Sequence, residues 1–167
     1  MSATIEKKQF VLPSKTLIKG VQVTPLKAIV DERGYLMEMM RSDDPTFTEF
    51  GQTYLTAVNF DVIKGWHYHE YQTDNFICVH GLIKLALYDC REGSETEGLV
   101  NEFFLGENSP IRVQIPPGVL HGFKGVAEGK SLVVNVPDKL YNYQKPDEFR
   151  VPAHDNDVPY DWARKDG

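Results

Sequence analysis

Apolar and polar positions along this chain alternate over short stretches and do not recur at helical spacing. Phe76-Ile77-Cys78-Val79-His80, Leu82-Ile83-Lys84-Leu85-Ala86-Leu87-Tyr88, Ile111-Arg112-Val113-Gln114-Ile115 and Ser131-Leu132-Val133-Val134-Asn135-Val136 predict short strands, being rich in β-branched and long apolar residues. Between them lies turn chemistry: Asp31-Glu32-Arg33-Gly34, His80-Gly81, Gly106-Glu107-Asn108-Ser109-Pro110 and Ala127-Glu128-Gly129-Lys130. Only Ser42 to Gly51 reads as a short helix. From Pro137 the chain is rich in Pro, Asp and Tyr, which predicts an irregular tail over about 137–167 laid on a β core. Many short strands with Gly and Pro turns indicate an all-β sandwich or barrel with few short helices.

Composition narrows the function classes. The 167 residues, 41% hydrophobic and 25% charged, suit one soluble domain spanning 1–167. A net charge of −6 argues against a nucleic-acid partner, which needs a basic face. There is no apolar leader at the N-terminus and no run of membrane-spanning length, so no membrane partner is expected and a cytoplasmic location is. Cys78 and Cys90 fall in strand-like segments without metal-ligand spacing and read as reduced core residues.

The chemistry concentrates in Gly65-Trp66-His67-Tyr68-His69-Glu70-Tyr71-Gln72-Thr73-Asp74, with Pro116-Pro117-Gly118-Val119-Leu120-His121 following later. Side chains alternate along a strand, so His67 and His69 share a face and can share a ligand, a metal or a substrate. In an extended chain Gln72 and Asp74 join them, while Trp66 and Tyr68 point the other way into a core. His80 and His154 sit in polar surroundings and read as surface residues; Arg33, taken alone, reads as a solvated turn residue. Asn135 interrupts an apolar strand, where a buried amide has to find partners.

These residues resemble the dTDP-4-dehydrorhamnose 3,5-epimerase family of the cupin superfamily, from roughly Asp31 to Trp162. Asp31-Glu32-Arg33-Gly34-Tyr35-Leu36-Met37-Glu38 is similar to its DxRGxxxE signature and Lys64-Gly65-Trp66-His67-Tyr68 to its RGLHF block. Pro117-Gly118-Val119-Leu120-His121-Gly122-Phe123 is similar to its EGxAHGF segment and Tyr160-Asp161-Trp162 to its late DW pair. The resemblance implies a double-stranded β-helix (jelly roll), no cofactor, and a homodimer paired through N-terminal strands. It implies epimerisation beside the C4 ketone of a nucleotide-linked 4-keto-6-deoxyhexose, serving surface-polysaccharide or deoxysugar synthesis. His67 would be the base, Arg33 and Lys64 would hold the diphosphate, and Glu38 would contact the nucleoside; His69, Asp74, His121 and Asn135 would line the substrate site. Two positions depart from the family. Its acid, a Tyr, aligns with Asn135, and its Lys aligns with Asp74. Tyr141 is the substitute donor expected here, and the departures favour reaction at one carbon, C3.

Two other classes stay open. His67-x-His69, four residues, Asp74, six residues, Gly81, together with Pro116-x-Gly118-x-x-His121, matches the metal-cupin pattern, with Asp in place of the usual Glu. Three imidazoles and a carboxylate suit Fe, Mn, Ni or Zn in a metal-dependent dioxygenase or isomerase. A sugar-nucleotide-binding cupin without catalysis is the third reading.

Overall fold

The computed structural model describes residues 9–166, which contain strands and no helix. In chain order the strands are β1 (Gln22–Pro25), β2 (Ala28–Asp31), β3 (Gly34–Met37), β4 (Tyr54–Asn59), β5 (Ile63–Tyr68) and β6 (Asp74–His80). They continue as β7 (Leu82–Tyr88), β8 (Val100–Gly106), β9 (Ile111–Ile115), β10 (Leu120–Gly125), β11 (Lys130–Asn135) and β12 (Phe149–Arg150). One five-stranded sheet runs β1-β9-β6-β11-β4 and a second runs β12-β5-β10-β7-β8, every neighbouring pair antiparallel. From β4 to β7 and again from β8 to β12, strands adjacent in sequence thus lie in different sheets, as in a cupin jelly roll, while β7 and β8 form a hairpin within one sheet.

Alternation carries the packing. Val58, Phe76, Cys78, Val113, Ile115 and Val133 of the first sheet meet Ile83, Leu85, Leu87, Leu105 and Phe123 of the second in one buried cluster. Each aliphatic side chain withdrawn from water there contributes about 1.5–3 kcal/mol. Behind the second sheet, Trp66 packs against Tyr160 and Trp162 of the C-terminal segment, with ring centroids 5.8 and 4.9 Å away. Trp66 and Val151 exchange two main-chain hydrogen bonds of 2.9 Å. The irregular tail is therefore a clamp across β5.

Two expectations need correction. Residues 42–46 form turns and 47–51 are irregular, because Asp44 accepts hydrogen bonds from the Thr46 amide and hydroxyl and from the buried Arg112 guanidinium. Such side-chain bonds compete with helical ones. Cys90 lies beyond the end of β7 and is exposed; only Cys78 is a core residue.

The β2–β3 hairpin pairs with neither large sheet. Ile29, Val30, Tyr35 and Leu36 are exposed on it.

Candidate active site

The β5–β10 pairing brings the two motifs together. A Cβ on Gly65 would lie 2.7 Å from the Gly122 Cα, so only glycine permits this approach of the two backbones. The register places His67 opposite His121, with an irregularity just after it. The two imidazoles sit 4.1 Å apart between centroids, tilted by 58°. His69 lies just past the end of β5, its ring centroid 5.3 Å from that of His67.

Asp74, the first residue of β6, is buried at the centre of this group. Its Oδ2 lies 3.1 Å from His121 Nε2 and 3.3 Å from His69 Nε2. Its Oδ1 accepts from Gln72 Nε2 at 2.8 Å and from Asn135 Nδ2 at 2.9 Å. Burial alone would raise the Asp74 pKa, but the hydrogen bonds and charge of His121 and His69 outweigh it and hold the carboxylate ionised. For His69 burial opposes protonation, yet Asp74 and the Asp147 carbonyl raise its pKa above the ordinary value.

The second nitrogen of each outer imidazole faces a carbonyl. His121 Nδ1 donates to Val119 O at 2.9 Å and His69 Nδ1 to Asp147 O. That orients each ring and turns both Nε2 atoms toward Asp74. Asp147 also pins the intervening loop, its carboxylate accepting from the amides of Glu70, Tyr71 and Gln72 at 2.8, 2.9 and 3.2 Å.

His67 differs from its neighbours. Among the described residues neither ring nitrogen is engaged in a hydrogen bond, and its side chain lines a cavity of about 740 Å³ together with Tyr54, Lys64, Phe76, Glu148 and Arg150. Burial first, then the neighbouring His121, pushes its pKa down to about 2, so the imidazole is neutral with a lone pair available.

On the opposite wall Tyr54 of β4 lies across from Asn135 of β11 in the strand register. Asn135 Nδ2 donates to the Tyr54 hydroxyl at 2.9 Å. Burial, with the charge of Asp74, pushes that hydroxyl up to about 12. Lys64 Nζ donates to Thr56 Oγ1 at 2.8 Å, and Arg150 pairs with Glu148 at 2.7 Å.

His67, His69, Asp74, His121, Asn135 and Lys64 are thus brought together. Others lie elsewhere. Arg33 is in the β2–β3 turn, paired with Asp31, and Glu38 pairs with Arg41; neither lines the His67 cavity. Tyr141 does not line it either, and its ring packs edge-on to Tyr143 at 4.9 Å. Sequence reasoning missed Tyr54, Asp147 and Arg150. The alternation in Tyr54-Leu55-Thr56-Ala57-Val58-Asn59 was a usable signal for the strand that carries Tyr54.

The donor set also fits a divalent transition ion. One ligand atom from each of His67, His69, Asp74 and His121 falls within 4.8 Å of all the others, and the Nδ1-to-carbonyl bonds of His69 and His121 are the outer-shell contacts that metal-bound histidines make.

Comparison with known proteins gives the lineage. The family model of dTDP-4-dehydrorhamnose 3,5-epimerase matches residues 15–167. A "probable low-salt glycan biosynthesis epimerase" of Haloferax volcanii is 40% identical over 152 residues, covering 87% of this chain and 94% of that protein. A spore coat polysaccharide biosynthesis protein of Bacillus subtilis is 35% identical over 146 residues, covering 87% and 97%. The crystal structure of a dTDP sugar isomerase from Desulfovibrio desulfuricans superposes with a TM-score of 0.83 at 32% identity, covering 89% of this chain and 94% of that one. The chain belongs to the dTDP-4-dehydrorhamnose 3,5-epimerase family.

Proposed function

We propose that the protein epimerises a nucleotide-linked 4-keto-6-deoxyhexose at one carbon, C3, without a cofactor, in the cytoplasmic synthesis of a surface polysaccharide. The observation that carries this reading is His67: a neutral imidazole whose ring nitrogens have no hydrogen-bond partner among the described residues, facing a cavity large enough for a hexose. The C4 ketone acidifies the neighbouring C–H, and His67 takes that proton as the general base. Lys64, and with it Arg150, supplies cationic contacts to the diphosphate at the cavity wall. Asp74 keeps His69 and His121 in place beside the base and is not itself the base, being buried and fully hydrogen-bonded. The relatives in glycan and spore-coat polysaccharide synthesis support the biological role.

The active form is a homodimer. An isolated two-stranded hairpin is marginal in water, and β2–β3 exposes Ile29 (57%), Val30 (73%), Tyr35 (59%) and Leu36 (59%). A second copy covers them. Arg33 and Glu38, outside the cavity of their own chain, then reach the nucleotide of the neighbouring subunit.

Replacing His67 by Asn tests the assignment. Epimer formation falls by about 10²–10⁴ while nucleotide binding is retained; activity that survives the change refutes the base. A metal-dependent reaction is the second reading, favoured by the convergence of both Nε2 atoms on Asp74. There His67, His69, Asp74 and His121 would hold the ion, which would polarise the substrate oxygen.

A further inference from the structure

We infer that Tyr54 is the acid that returns the proton to C3. This rests on the epimerase reading above. Inversion needs a base and an acid on opposite faces of one carbon. His67 belongs to β5 of one five-stranded sheet and Tyr54 to β4 of the other, and both line the same cavity.

The hydrogen-bond pattern sets the direction of the phenol. Tyr54 Oη accepts from Asn135 Nδ2 at 2.9 Å and makes no other hydrogen bond among the described residues, so its own hydrogen is left to be donated elsewhere. Tyr54 is 40% exposed and lines the cavity, so a ligand there can reach it. Asn135 is wholly buried and held from three sides. Its Oδ1 accepts from the Asn75 amide at 2.9 Å, and its Nδ2 is shared between Asp74 Oδ1 and Tyr54. Asn135 is therefore a positioning residue: it aims the phenol and offers an N–H to the phenolate formed after transfer. Its partner in the strand register is Tyr54 itself.

The step balances without a co-reactant. The C3–H bond breaks, its proton passes to His67, and its electron pair moves onto the C4 oxygen as an enolate. The pair then returns to C3 and takes the phenolic proton of Tyr54 on the other face, leaving a phenolate. His67 gives up a proton to solvent and the phenolate takes one from it, so only the configuration has changed.

The test is Tyr54→Phe with dTDP-4-keto-6-deoxyglucose in D₂O, following deuterium at C3 and product configuration separately, with dTDP binding as the check on folding. The expected result is a split. Epimer formation falls by about 10²-fold or more, while deuterium still enters C3 with retention, because His67 removes and returns a proton on its own face. Unchanged epimer formation overturns the assignment. So does loss of uptake together with inversion in a variant that binds dTDP, since Tyr54 would then serve enolisation and not proton return. Absence of uptake in the unmodified protein overturns the epimerase reading itself, and the Tyr54 role with it.

Discussion

Asp74 Oδ2 lies 3.1 Å from His121 Nε2, in a setting where both residues are almost fully buried and each has its remaining polar atoms bonded to the protein. This pair ties β6 of one sheet to β10 of the other beside His67. The buried carboxylate is thereby left with no unpaired oxygen.

Removing the charge exposes its structural share. Asp74→Asn removes the charge facing His69 and His121 and sets an amide N–H against either the two imidazoles or the Gln72 and Asn135 donors. Breaking a buried pair costs about 3 kcal/mol, so the urea midpoint should fall well below that of the unmodified protein. A change within about 0.5 kcal/mol, the size typical of surface substitutions, would show that the pair is not a structural element.

Arg112 and Asp44 give a pH dependence with a definite sign. The Thr46 amide first, then the Arg112 guanidinium, holds the Asp44 carboxyl at about 2 against an ordinary 3.8. A depressed folded pKa contributes stability that is complete above the ordinary value and is lost as pH falls through that window. Asp44→Asn is therefore expected to destabilise the protein at neutral pH and to narrow the gap to the unmodified protein between pH 3.8 and about 2. Urea titrations at both ends of the window check it; a gap independent of pH would contradict it.

Trp162 anchors the tail against Trp66 and Tyr160, with centroids at 4.9 and 4.8 Å. Trp162→Ala should cost about 3–5 kcal/mol and open the segment around residues 149–162 to limited proteolysis. Unaltered protease resistance would mean that the main-chain bonds between Trp66 and Val151 hold the clamp unaided.

Much of this was legible in the alternation. The runs at 76–80, 82–88, 111–115 and 131–136 are strands to within two residues, and period two pairs His67 with His69; Asp74 joins them from the first residue of β6 in the other sheet, not along an extended chain. The segment at 42–51 was misread because what opposes a helix there is Arg112, nearly seventy positions away and silent in local pattern. The same holds for Asp147, which fixes the loop at 70–72 from the tail. Tyr54 is the most instructive omission. Its meaning comes from pairing with Asn135, a relation 81 residues long that only the sheet register reveals.

The exposed hairpin predicts the assembly. Val30→Glu places a charge amid Ile29, Tyr35 and Leu36, and the dimer should dissociate to monomer in analytical ultracentrifugation without loss of β structure. A variant that sediments as the unmodified protein does would move the interface elsewhere.

The central claim, a neutral His67 enolising a 4-keto sugar, is tested most directly by deuterium uptake from D₂O into dTDP-, CDP- and GDP-4-keto-6-deoxyhexoses, read by mass spectrometry with and without chelator. The account predicts uptake of one deuterium, at C3, that survives chelation and disappears in His67→Asn. Uptake that is abolished by chelation, or that persists in His67→Asn, would contradict it.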